Sequence, residues 1–164
     1  MGIRQAGEDI AFMNALFTTA ESEAHRLGDE LPGAEHLLLA ALMMDDGSGR
    51  DAFRSAGGDA NALSLAITDL HAEALRAVGV HAQEAAAIDA ITAGPYRTSA
   101  SAQEAFQRAA ELSKARRPHR LRTADVVRAV AERESGTAAR AIASLGVERA
   151  ALIAAAATAV TSSS

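Results

Sequence analysis

The chain contains no cysteine, which excludes disulfides, thiolate metal ligands and a thiol nucleophile and leaves the interior to packing alone. Tryptophan is absent too, tyrosine occurs once, proline three times and phenylalanine four times. Residues that favour strands or interrupt helices are therefore scarce, and the dominance of alanine and leucine predicts an all-α fold. No apolar run has the length of a membrane span, and the first residues, MGIRQAGEDIAF, mix acids with too few apolar side chains for a signal peptide. A cytoplasmic chain with no membrane partner is expected.

What is present is apolar in 49% of 164 residues, enough for a sizeable core and a single domain over residues 1–164. Residues 1–89 carry 5 Lys and Arg against 15 Asp and Glu, whereas residues 90–164 carry 11 against 6. The halves are electrically opposite, a bias on which face meets which partner and not on the fold.

The most ordered stretch is 31–42, LPGAEHLLLAAL. Pro32 and Gly33 break a preceding helix, Glu35 places negative charge in the first turn of the next, and Leu37, Leu38, Ala41 and Leu42 follow at helical spacing. Before it, Phe12, Leu16, Ala20, Ala24 and Leu27 mark an amphipathic helix over 9–27. After it, Ser48 is expected to cap a short helix carrying Ala52 and Phe53 inward, and Asp59 a fourth helix running to about residue 78. Residues 79–98 read as a connector, in which 82–91 has the composition for a turn or more of helix.

From Ser99 the plan repeats. Sliding the sequence on itself by 89 residues superimposes Phe17 on Phe106, Gly47 on Gly136, Gly57 on Gly146 and Leu63 on Leu152 without a gap, an internal repeat. The second copy predicts helices over 99–115, 123–133, 137–145 and 147–161. Neither four-helix unit covers its apolar face alone, so the two, about 9–78 and 99–160, are expected to share a core around a pseudo-twofold axis. Leu38, Leu42, Leu63, Phe106, Val127 and Leu152 are expected to be buried.

The duplicated pattern resembles the Clp amino-terminal (Clp repeat) domain family. Gly33-Ala34-Glu35-His36-Leu37-Leu38-Leu39 is similar to that family's G-T-E-H-[IL]-L-L, and Leu145-Gly146-Val147 closes a unit as its glycines do. The second copy reads Arg122-Thr123-Ala124-Asp125-Val126-Val127, keeping the threonine without the Glu-His pair. With no G-x-x-x-x-G-K-[ST] phosphate loop, the likeness is to a stand-alone amino-terminal domain. The resemblance implies a module that binds peptides or proteins, among them arginine-phosphorylated proteins and cyclic-peptide antibiotics, with Clp ATPases or their adaptors as further partners. It also implies a role for the motif glutamate, here Glu35, in phosphoarginine recognition. The family's usual phenylalanine before each first helix is replaced by Asp9 and Thr98.

Glu35 has two readings: a favourable charge at a helix start, worth about 0.3–1 kcal/mol, or a carboxylate that pairs with a guanidinium while free helix-start amides hold the attached phosphate. By the repeat its counterpart is Ala124, so the ligand-binding set at the two helix starts is Ala34, Glu35, His36, Thr123 and Asp125. A histidine such as His36 at a helix start ordinarily bonds backbone. The five histidines show no metal-ligand spacing, so neither metal nor cofactor is expected. No serine is grouped with a base and an orienting acid, and an enzyme is not expected. Lys114, Arg116, Arg117, Arg120 and Arg122 form a basic run beyond what a helix end needs, room for an anionic partner. The run carries none of the aromatics that stack on nucleic acid.

Overall fold

The computed structural model describes residues 2–78, 90–93 and 96–162. Among them are eight helices: α1 (Gly2–Leu27), α2 (Ala34–Met43), α3 (Ser48–Ser55), α4 (Ala60–Val78), α5 (Ala100–Lys114), α6 (Thr123–Ala131), α7 (Thr137–Ser144) and α8 (Arg149–Ala159). The fold is all-α, as composition and periodicity predict. Between α4 and α5 lies a small addition that the sequence reading did not anticipate. Strands β1 (Ala90–Ala93) and β2 (Tyr96–Ser99) pair antiparallel, Ala90 opposite Ser99 and Ala93 opposite Tyr96. The helical turn expected over 82–91 thus gives way to strand at 90 and 91; residues 82–89 lie outside the described residues. The polar end at 163–164 lies outside them as well.

The helices are arranged as two sets of four with their last members exchanged. α1 lies on α2 as α5 lies on α6, while α3 packs on α8 of the other set and α7 on α4. Helices α2 and α6 meet in the middle, which explains why both are apolar around most of their circumference. Leu37, Leu38, Val126, Val127 and Val130 are fully buried there, with Leu16, Phe53, Leu63, Ile67 and Leu152 closing around them. Phe17 and Phe106, which coincide when the sequence is slid by 89 residues, touch edge to face with ring centroids 5.0 Å apart. Contact between two equivalent residues places the pseudo-twofold axis between them. Phe17 is buried, whereas Phe106 is only half-buried, unlike the other five expected core residues.

Two local details differ from expectation. Helix α1 begins at Gly2, not at 9, because its first two turns rest against the corner that joins α5 to α6: Gln5 Nε2 donates to the His119 carbonyl at 3.3 Å. Ser48 does not cap α3; Gly47, at φ 67°, precedes the helix, and the Ser48 hydroxyl serves α6 instead. Asp59 does cap α4, accepting from Ala62 N–H at 2.9 Å.

Candidate functional site: two helix starts, a basic corner and an apolar groove

At the start of α2 the backbone is largely engaged. Gly33 N–H donates to His36 Nδ1 at 2.8 Å, and Ala34 N–H to Ser101 Oγ, from the start of α5, at 3.1 Å. These two amides are therefore not open to a phosphate, and His36, only 1% exposed, is held to backbone in the ordinary way. Glu35 folds back rather than standing into a groove: its carboxylate is 3.7 Å from His36 Nδ1 and 3.8 Å from His71 Nε2, and the side chain is 14% exposed. Asp29, in the loop after α1, brings Oδ2 within 3.1 Å of Nε2 of both histidines. Linear spacing could not show this grouping, since His71 arrives from α4 and only the packed fold closes the distance.

The equivalent start of α6 is engaged more completely. Thr123 N–H donates to Asp46 Oδ2 at 2.7 Å, the Thr123 hydroxyl donates to Asp46 Oδ1, and Ala124 N–H donates to Ser48 Oγ at 3.0 Å. The loop between α2 and α3 thus caps a helix of the other repeat. Burial alone pushes the Asp46 carboxyl up, but hydrogen bonds from Thr123 and Ser48 outweigh it and hold the carboxyl below its usual range. Asp125 occupies the position equivalent to His36 and performs the same task, accepting from Arg122 N–H at 2.9 Å. Its remaining capacity is taken by Arg116, whose guanidinium donates to both oxygens at 2.5 and 2.6 Å. Thr123 and Asp125 are thereby internal structural groups with no surface to offer.

Arg116 must accordingly be removed from the basic run as a ligand-binding group: it joins α6 to the corner before it, adding a bond to the Arg120 carbonyl at 2.5 Å. Arg117, Arg120 and Arg122 line a cavity of about 710 Å3 whose opposite wall carries Glu8 and Asp9 of α1. Arg120 Nε lies 4.0 Å from Glu8. The corner's positive charge is thus partly answered within the chain.

Lys114 belongs to a different surface. Ile10 and Met13 of α1 face Phe106 and Ala110 of α5 across an open groove of about 630 Å3, floored by Leu121. Lys114 and His119 stand on one side of it and Asp9 on the other. Ile10 is 55% exposed, a large apolar side chain left in water beside further apolar wall. The groove went unnoticed in the sequence although its signal was present: Ile10 and Met13 widen the apolar stripe of α1 beyond the width that α2 covers.

Residues 12–89 match the family described as Clp repeat (R) N-terminal domain. No curated protein matches the chain in sequence. Among solved structures, the N-terminal domain of the caseinolytic protease associated chaperone ClpD from Arabidopsis thaliana is similar, with a TM-score of 0.62 at 19% identity over 90% of each chain. At that identity only the likeness of fold carries over. The glycine-spaced duplication, the buried Leu37 to Leu42 helix and the family match agree that residues 12–89 form a Clp repeat (R) N-terminal domain.

Proposed function

We propose that this chain is a non-enzymatic docking module that takes a peptide or protein segment into the groove between α1 and α5 and so sequesters ligands directed to a Clp unfoldase. The family and fold point to a protein- or adaptor-binding module of the Clp system, and the groove carries the finer reading. Ile10, Met13 and Phe106 offer apolar surface that the chain covers only in part, and Lys114 offers positive charge beside it. An apolar segment bearing an acidic or phosphorylated group fits that combination, since burial supplies affinity and the rim charge supplies orientation. These 164 residues hold no phosphate loop, so they do not hydrolyse ATP by that route. Protection then scales with the ratio of free module to dissociation constant. Arginine-phosphorylated proteins and cyclic-peptide antibiotics are the ligand classes this reading favours. The second reading, delivery of substrates to the unfoldase, requires a further surface that touches the ATPase.

Binding of an arginine-phosphorylated protein and its unmodified form, followed by fluorescence anisotropy, tests the site. Met13→Asp, which places a carboxylate in the groove, is expected to weaken binding at least about tenfold, the order that one misplaced polar group in an apolar contact costs. Unchanged affinity in Met13→Asp would remove the groove from the account. Loss of the preference for the phosphorylated form in Lys114→Ala supports the role of the rim charge, and an undiminished preference contradicts it.

A further inference from the structure

Asp29 Oδ2, His36 Nε2 and His71 Nε2 are all buried from solvent and none has a hydrogen-bond partner in bonding geometry. The three atoms converge: Asp29 Oδ2 lies 3.1 Å from each nitrogen, and Glu35 Oε1 lies 3.8 Å from His71 Nε2. One donor atom from each of the four residues fits within a span of 4.8 Å. Orphaned polar atoms at this depth are costly. Around a tetrahedral zinc ion with bonds of about 2.0–2.2 Å, neighbouring donors sit roughly 3.3 Å apart, close to the spacing found here.

We infer that Asp29, Glu35 and His71 form a site for a divalent first-row transition ion, Zn2+ foremost, with His36 as the group that orients Asp29. The assignment of His36 follows from its other nitrogen. Because Gly33 N–H donates to Nδ1, the proton of the neutral ring resides on Nε2, which therefore cannot ligate. It lies 3.1 Å from Asp29 Oδ2 outside bonding geometry, placed to become the outer partner that ligating carboxylates ordinarily have. His71 Nε2 and two carboxylate oxygens remain as ligands, a mixed nitrogen and oxygen set that suits zinc and its neighbours and leaves a fourth position open. His71, at 21% exposed, and Asp29, at 30%, give the ion a way in.

The internal repeat supplies a control. At an offset of 89 residues, Asp29, Glu35 and His71 fall on Pro118, Ala124 and Val160. All three ligands are replaced at once by residues that cannot bind a metal, whereas the capping function of His36 is kept by Asp125. The three groups thus behave as one unit separable from the fold. The inference stands apart from the docking groove, whose residues it does not use.

The test is titration of the chelator-treated protein with Co2+, read by its visible ligand-field absorption, followed by displacement with Zn2+. One equivalent is expected to bind. His71→Ala and Asp29→Asn are each expected to weaken binding at least tenfold with unchanged far-ultraviolet dichroism, while His25→Ala, on the exposed side of α1, binds as the parent does. Absence of saturable Co2+ binding, unchanged affinity in either His71→Ala or Asp29→Asn, or loss of binding in His25→Ala overturns the site. None of these outcomes depends on peptide binding, so the two proposals succeed or fail separately.

Discussion

At the residue scale, Asp46 holds two helix starts together, accepting from the amides and hydroxyls of Ser48 and Thr123. Replacing it with alanine is expected to cost about 2–3 kcal/mol, since hydrogen bonds to a charged group are lost and buried donors are stranded; denaturant unfolding measures this. Its carboxyl is held below the ordinary value of 3.8. The stabilisation from ionised Asp46 is therefore complete above that value and is lost as pH falls through the lower folded one. Stability of Asp46→Asn is expected to fall less steeply on acidification than that of the parent. An equal slope would assign the acid sensitivity to other carboxylates. Arg116 and Asp125 make a second test, because one partner of a buried pair cannot leave without stranding the other. Asp125→Ala is expected to cost about 3 kcal/mol, whereas Arg117→Ala should leave thermal stability unchanged within about 0.5 kcal/mol. The charges of this corner were visible in the sequence as a run. Which of them were already spent was not, because the spending partner of Arg116 sits one helix further on and that of Thr123 lies 77 residues away.

At the scale of elements, the tightest joint lies between α3 and α6. A Cβ on Gly49 would stand 3.0 Å from Val127 Cγ2 and 3.1 Å from the Thr123 carbonyl carbon, so this helical glycine is kept for close approach. Gly49→Ala is expected to destabilise by about 1–3 kcal/mol despite its better helix propensity. A stabilised variant, read by thermal unfolding, would mean the two helices have room to part. On α2, Leu38→Ala is expected to cost about 2–5 kcal/mol by leaving a cavity at full burial. Helix positions were legible because glycine and proline punctuate the sequence and the apolar period is regular between them. The β1 and β2 hairpin was not, since Ala90 to Ala93 has no alternating pattern and its strand state depends on pairing with Tyr96 to Ser99. The early start of α1 was hidden for a related reason: its first turns are polar and owe their order to the corner at His119.

At the scale of the molecule, the exchange of fourth helices between the two sets means that neither can open without exposing the other's third helix. Unfolding is expected to be a single cooperative transition with matching calorimetric and van't Hoff enthalpies. Two separated transitions would show that the repeats are held by less than a common core. The duplication was readable because breakers and core residues recur at one constant offset. The groove between α1 and α5 was readable only by one wall, the wide apolar stripe of α1, because its other wall comes from the equivalent helix of the second repeat. That groove is also where the central claim is most exposed to test. The direct measurement is degradation of a fluorescent substrate by a reconstituted Clp unfoldase and protease, with this protein and its Met13→Asp variant titrated in. Sequestration predicts that the parent slows degradation in proportion to the amount added and that Met13→Asp slows it far less; faster degradation, or no effect of the parent at any concentration, would contradict it.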